Sequence, residues 1–431
     1  MQHLPVGALL KRAYEGTHKF AVEACHIGGD AAEQLGAFAA RRCGKSCLVI
    51  SDTHTHPVGK PALVALQDAG KIVTEHVFAG AHLDATEELG DEVATLGANA
   101  DFFVAVGSGT LCDLAKHAGH KLSKPVLSYA TAASMNGYTS GITAIKVRGL
   151  KRTVPCTPAL GVFADPAAVA TAPPRMAAAG VADYLSKCSA GADWRVANFL
   201  RGEYYDENAL QFYEGALERV LETAALVGAG DPEAIAVALE ALLLSGLSML
   251  VAGSSAPASG GEHLISHFID MKQAIYGTPN DLHGVQVGVA TVHCLGLWER
   301  VLALDAKTID PDALAAAQPS DDTIVKWAIE DWGETIGKEV IAQWRQKARS
   351  RNAMRDEIVK FRDNIDSIRA AVQKDLLPAS TVAAAIRAAG GPTTPEGMTA
   401  PLETYEAALK RARYIRNRFT ILDLAAELGV S

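Results

Sequence analysis

The stretch Phe102-Phe103-Val104-Ala105-Val106-Gly107-Ser108-Gly109-Thr110-Leu111-Cys112-Asp113-Leu114-Ala115-Lys116 decides how this chain is read. Five apolar residues give a compact strand, two glycines a turn, and the residues after them the start of a helix. Such a junction is a place for phosphate. Glycine lets the backbone approach, and the N–H groups at the helix start, with the helix dipole, attract an anion. The stretch is not a full G-x-G-x-x-G, because Cys112 stands where the third glycine would be. A tight strand-to-helix turn with no ligand explains the same glycines equally well.

On either side, short apolar runs at 46–52, 72–78 and 126–129 alternate with helical patterns over 59–70 and 85–96. This alternation predicts a parallel sheet covered on both faces. Beyond Pro173-Pro174 the Ala- and Leu-rich chain reads as helix over 176–194, 206–227, 232–251, 323–336, 353–373 and 401–428. The expected fold is therefore an α/β N-terminal domain with a Rossmann-like parallel sheet, residues 1–170, followed by an all-α domain, residues 171–431. The boundary is expected near 166–174, and Gly390 to Pro395 reads as a loop inside the second domain.

The 431 residues are 49% hydrophobic and 21% charged, which suits a globular protein with large cores. A net charge of −9 argues against broad binding to nucleic acid or anionic membranes. Seven scattered cysteines read as reduced thiols of a cytoplasmic protein rather than a disulfide framework. The N-terminus lacks the pattern of a signal peptide. The most apolar stretch, 234–252, contains Glu240, Ser245, Gly246 and Ser248, and Asp231-Pro232-Glu233 before it has the pattern of a helix start. It reads as a buried helix rather than a membrane span.

Three further patterns carry chemistry. Asp52 ends the run 46–52, where a carboxylate can accept hydrogen bonds from a ribose or cap a turn. Thr131-Ala132-Ala133-Ser134 follows the run 126–129, and small hydroxyl residues there suit a cofactor crevice or any loop. In Glu262-His263-Leu264-Ile265-Ser266-His267 the two histidines share one helical face, and His283 in His283-Gly284 follows. Three imidazoles near one space suggest a divalent metal, although H-x-x-x-H recurs by chance. Asp183, in Gly180-Val181-Ala182-Asp183, could add a carboxylate. Its plain reading is a first-turn acid favoured by the helix dipole.

In order and spacing these segments resemble the iron-containing alcohol dehydrogenase and dehydroquinate synthase superfamily, and within it the sn-glycerol-1-phosphate dehydrogenases. The resemblance runs from about Lys19 to the C-terminus. It is carried by Gly107-Ser108-Gly109 with Asp113 and Lys116, the stretch from Thr131 through Asn136-Gly137-Tyr138-Thr139 to Ser140, Gly180 to Asp183, the histidine segment, and the tail from Arg413 through Tyr414, Arg416 and Arg418 to Thr420. It implies a dehydroquinate synthase-like fold with Asp183, His263 and His283 as metal ligands, Asp183 and His267 as catalytic residues, and Asn136, Asp183 and His267 as substrate contacts. It also implies dinucleotide contacts at Asp52, Gly107, Ser108, Gly109, Thr110, Leu111, Thr131, Ala132, Ala133, Ser134 and Ser140.

The activity so implied is reduction of dihydroxyacetone phosphate to sn-glycerol 1-phosphate by NADH or NADPH. The metal is expected to be zinc, with nickel and iron as alternatives, since imidazole and carboxylate suit all three. A phosphorylated polyol substrate, a homo-oligomer, and neither nucleic acid nor a membrane span complete the expectation. Lys187, Arg413, Arg416 and Arg418 are candidate phosphate cations. A glycerol dehydrogenase-like polyol oxidoreductase and a dehydroquinate synthase-like cyclase with bound NAD are the alternatives, with a catalytically silent binding protein behind them. The family usually has Asp where this chain has Asn136, which keeps one acceptor oxygen, loses the charge and adds a donor. Asp183 and Leu264, where dehydroquinate synthases usually have Glu and Thr, favour a dehydrogenase.

Overall fold

The computed structural model describes residues 4–79, 83–147 and 150–431. Six strands form one parallel sheet: β1 (Ala24–Ile27), β2 (Ser46–Asp52), β3 (Ile72–Phe78), β4 (Phe102–Gly107), β5 (Val126–Ala130) and β8 (Gly161–Ala164), in the order β1-β8-β5-β4-β2-β3. An antiparallel hairpin, β6 (Ile142–Val147) with β7 (Leu150–Pro155), stands apart from it.

Successive side chains of a strand point to opposite faces, and here both faces are apolar. On β4, Phe102, Val104 and Val106 join one core with Leu35 and Phe38 of helix Ala31–Arg42 and Leu63 and Leu66 of helix Lys60–Asp68. Phe103 and Ala105 join the other, with Val93 of helix Glu87–Leu96 and Leu111, Leu114 and Ala115 of helix Gly109–Leu122. The predicted parallel sheet is thus present, and its four longer strands lie where the apolar runs put them. The sequence reading missed β1, β8 and the hairpin. β1 and β8 have four residues each, too few to show a period.

From β2 the chain goes to β3 on one side, and from β4 to β5 on the other. β2 and β4 are neighbours, paired from Cys47↔Phe102 to Ile50↔Ala105. Their carboxyl ends therefore flank the switch point of the sheet, where ligands bind in open α/β folds. Asp52 ends β2 and Gly107 ends β4.

The chain divides into two compact units, and the division differs from the expected one. The first comprises residues 1–184, 208–254 and 388–391; the second comprises 185–207, 255–387 and 392–431. The boundary shifts from the expected 166–174 because two helices pack onto the loop after β5. Helix Pro174–Leu185 approaches so closely that a Cβ on Gly180 would lie 1.9 Å from the Ala133 carbonyl oxygen. Helix Pro232–Ala252 does the same with Gly246, where a Cβ would lie 2.0 Å from Thr139 Oγ1 and 2.7 Å from the Asn136 carbonyl oxygen.

That second helix is the apolar stretch noted above. It is long and apolar enough to cross a membrane, yet 89% of its most apolar window is buried in protein. Its polar residues have internal duties. Glu240 accepts from the N–H groups of Leu9 and Leu10 (2.8 and 3.1 Å) and from Arg219 (2.7 Å). The Leu243 carbonyl accepts from Thr139 Oγ1 at 2.8 Å. Asp231 caps the helix on Ala234 N–H, with Pro232 behind it, as the sequence indicated.

The second unit is helical. It contains Lys187–Arg201, Gly261–Tyr276, His283–Leu302, Asp321–Arg345, Arg351–Asp363, Ile365–Val372, Leu402–Arg411 and Ile421–Glu427. The expected helix 176–194 is interrupted at Ser186, and 401–428 is broken by a 3-10 turn, Ala412–Tyr414. Helix Asp321–Arg345 runs past its expected end but kinks at Gly333, whose φ of 70° suits glycine.

Gly246→Ala should destabilise the protein by about 1–3 kcal/mol through overpacking of the Asn136–Thr139 loop. Thermal melting checks it, and an unchanged Tm would show that the loop has room to retreat.

Candidate active site

The glycine turn is built as its sequence suggested. Gly107 is packed: a Cβ there would lie 2.3 Å from Leu111 Cδ1. At Gly109 such a Cβ would make ordinary contact with Met135 Cγ at 3.7 Å, so the turn is not crowded there. Helix Gly109–Leu122 has Ser108 at its N-cap, and no side chain caps it. Its first N–H groups have no intrahelical acceptor, and Ser108, Gly109 and Thr110 are partly exposed. This is a fitting cradle for a pyrophosphate at the switch point. Leu111 is a core residue at 2% exposure, so only its backbone can face a ligand.

The other nucleotide candidates fall into two groups. Asp52 Oδ1 accepts from His54 N–H (2.9 Å) and Thr55 N–H (2.8 Å), which makes it a turn cap at the sheet's carboxyl edge. Thr131 N–H pairs with the Gly107 carbonyl at 3.1 Å, joining the loop after β5 to the glycine turn. Thr131, Ala132 and Ala133 are buried, whereas Ser134 is partly exposed. Ser140 is fully buried, with its hydroxyl directed to the Gly137 and Ile142 carbonyls at 3.2 Å each. Its geometry is that of a loop brace. Lys116, also fully buried, braces the same loop through Gly137 (2.9 Å) and Ile142 (2.5 Å).

Asn136 is partly exposed, and its Nδ2 donates to Ser245 Oγ at 3.1 Å. Asp183 is fully buried in the last turn of helix Pro174–Leu185, near where the chain passes into the second unit. Asp183 is therefore no first-turn acid, and the helix dipole does not favour its charge there.

In the second unit His263 and His267 lie on helix Gly261–Tyr276, and His283 opens helix His283–Leu302. The ring centroids of His263 and His283 are 5.2 Å apart, and His267 lies 6.2 Å from each. The back nitrogens of two rings are occupied. His263 Nδ1 is 2.9 Å from Glu262 Oε1, and His283 Nδ1 is 3.2 Å from Ser266 Oγ, which also accepts from Gln286 Nε2 at 3.0 Å. With Nδ1 so held, Nε2 of each ring is the nitrogen left for a metal. Two imidazoles so held suit a divalent cation, with positions left for further ligands.

Glu262 is a residue whose role the sequence reading missed. Burial pushes its carboxyl up, but the bond to His263, that ring's charge and the Gly260 N–H hold it below the ordinary range. Burial, then the Glu262 charge, push Asp193 well above its ordinary value. Asp193 pairs with the N–H groups of Gly261 (2.8 Å) and Ile421 (2.9 Å), tying the histidine helix to the C-terminal helix. Glu262's place beside His263 was a signal available from sequence; Asp193, far away in the chain, gave none.

The phosphate candidates are scattered. Lys187 is buried, with Nζ 3.2 Å from both Ser186 Oγ and the Ala258 carbonyl. Arg418 bonds the Ser259 carbonyl and Ser255 Oγ, just before the histidine helix. Arg413 lines a separate cavity of about 430 Å³ with Arg201, Lys347 and Glu427. Arg416 is half-buried.

Residues 26–173 match the family model for iron-containing alcohol dehydrogenases. The chain is 33% identical to the glycerol-1-phosphate dehydrogenase [NAD(P)+] of Bacillus velezensis over 62% of this chain and 70% of that one. It is 32% identical to the protein of the same name from Bacillus subtilis over 80% of this chain and 87% of that one. Among solved structures it is similar to the iron-containing alcohol dehydrogenase of Thermococcus thioreducens, with a TM-score of 0.58 at 16% identity over 95% of this chain and 100% of that one. A shared length and identity of this order, together with the parallel sheet and its helical second unit, mean that the chain belongs to the glycerol-1-phosphate dehydrogenase family of metal- and NAD(P)-dependent alcohol dehydrogenases.

Proposed function

We propose that this protein reduces dihydroxyacetone phosphate to sn-glycerol 1-phosphate with NADH or NADPH, at a divalent metal held by Asp183, His263 and His283. The observation that carries the reading is a pair of imidazoles, His263 and His283, with ring centroids 5.2 Å apart and each Nδ1 already engaged. The names of the relatives supply the substrate.

In this reading the α/β part of the chain, within residues 1–170, takes the dinucleotide, and the helical remainder takes the metal and most of the substrate. Gly107, Ser108 and Gly109 present the helix N-terminus to the pyrophosphate, and Asp52 lies at the ribose end. The bound metal, zinc in the first instance, supplies Lewis acidity to the substrate's carbonyl oxygen, and the nicotinamide supplies the hydride. Glu262 and Ser266 keep His263 and His283 in the orientation that this requires. His267, one helical turn beyond His263, holds a substrate oxygen or gives it a proton. Asn136 accepts a hydrogen bond from a substrate hydroxyl.

Absorbance of NADH and NADPH tests the proposal directly, with dihydroxyacetone phosphate, dihydroxyacetone or no substrate, after chelation and return of zinc, nickel or iron. Metal-dependent oxidation with the phosphorylated ketone is expected. Oxidation no faster than without substrate, for every metal, contradicts it. A cyclase would show no net loss of reduced cofactor.

Glu262→Gln keeps the shape but removes the charge behind His263, and metal affinity should fall by roughly 10–100-fold. Competition with a chelator measures it; unchanged affinity would show that the carboxylate does not orient the ring for metal.

A further inference from the structure

We infer that Gln286 is a positioning residue for His283: its one amide group fixes both the serine behind the imidazole and the stretch of chain that delivers it. The inference rests on the function proposed above, in which His283 is a metal ligand.

Gln286 is fully buried in the first turn of helix His283–Leu302. Its Oε1 accepts from the Asp281 N–H at 3.1 Å. Its Nε2 donates to Ser266 Oγ at 3.0 Å and to Asp270 Oδ1 at 3.1 Å. The partners fix which end of the amide is which. A backbone N–H only donates, so the oxygen faces Asp281, and the NH2 group faces the serine and the carboxylate.

These contacts reach His283 from two sides. Ser266 Oγ lies 3.2 Å from His283 Nδ1, so the amide holds the partner of the ring. Asp281 lies two residues before His283, in the stretch that joins the two helices. Asp270 Oδ1 ties the same stretch again by accepting from Asn280 Nδ2 at 3.0 Å. Ser266 and Asp270, four residues apart, share a face of helix Gly261–Tyr276. The helix that His283 opens has Leu282 at its N-cap, and no side chain caps it. Gln286 reaches back past that leucine to the Asp281 N–H, much as the acid of a capping box reaches back to the N-cap. All of these residues belong to the second unit.

The three partners call for an amide. A glutamate of the same shape could accept from Asp281. When ionised it would give Ser266 no proton, and it would set a second carboxylate against Asp270. A methionine of similar length would donate to neither and accept only weakly.

The test compares the native protein with Gln286→Met and Gln286→Glu. Zinc affinity, measured by competition with a chelator, should fall about tenfold in each. In the cobalt(II)-loaded proteins, proton NMR follows the ring N–H of each ligating histidine, with that of His263 identified by its shift in Glu262→Gln. The His283 ring N–H should exchange with water about fivefold faster in both variants, the fold-change of one neutral hydrogen bond, while that of His263 keeps its native rate. Either substitution decides this on its own. Equal changes at both rings would mean a merely structural glutamine, and no change at His283 would mean no hold on the ring; both overturn the inference.

Backbone hydrogen exchange on the metal-free protein needs neither metal nor turnover. The Asp281 amide should exchange faster in Gln286→Met than in the native protein, and equal exchange overturns the inference. Absence of metal binding by the native protein overturns the proposed function alone, and the backbone exchange still decides whether Gln286 holds the chain before His283.

Discussion

Close approach of backbone to backbone holds the first unit together. The loop from Thr131 to Ser140 leaves the carboxyl end of β5 and is met by two helices at glycines where a Cβ would not fit: Gly180 at the Ala133 carbonyl and Gly246 at Asn136 and Thr139. Lys116 and Ser140 brace the same loop from within. A buried lysine among carbonyls is costly unless its donors are satisfied, and here they are. Asp183 and Asn136 thereby acquire fixed places, Asp183 on the helix that carries Gly180 and Asn136 on the loop packed against Gly246. This packing also explains why residues 208–254 belong with the sheet rather than with the helices that follow.

The second unit meets a different demand, which is to hold imidazoles by their back nitrogens in a buried setting. Glu262 does this for His263, and its charge survives burial because His263 and the Gly260 N–H oppose desolvation. Its neighbour Asp193 is pushed the other way, by burial and then by the Glu262 charge. Asp193 keeps a tie to Ile421 at the start of the C-terminal helix. That helix closes with a capping box between Thr420 and Asp423, and Lys347 reaches Asp423 at 2.8 Å. The tail is thus part of the support of the histidine helix.

How much of this could be read from sequence follows from the range of the interactions. The central strands were legible because five or more consecutive residues face two apolar cores. The short strands β1 and β8, and the hairpin, left no period to read. The histidines were legible as a helical pair, since i and i+4 share a face. Asp183 needed the resemblance, because one acid in a helix has many plain meanings. Ser140, expected at the cofactor, is buried with its hydroxyl on carbonyls of its own loop, and small hydroxyl residues serve either purpose. Ser245, Gly246 and Ser248 were visible only as interruptions of an apolar helix. The partners of Ser245 and Gly246, Asn136 and Thr139, lie about a hundred residues away, and Ser248 reaches the Ala209 carbonyl; no local pattern reveals such contacts.

The central claim is that Asp183, His263 and His283 hold a catalytic divalent metal. X-ray absorption at the edge of the metal on the loaded protein tests it most directly. The account predicts a first shell of nitrogen and oxygen at about 2.0–2.2 Å with the outer-shell pattern of two imidazoles, lost when His263 and His283 are both replaced by Ala. A sulfur ligand, or a shell that survives that double replacement, would contradict it.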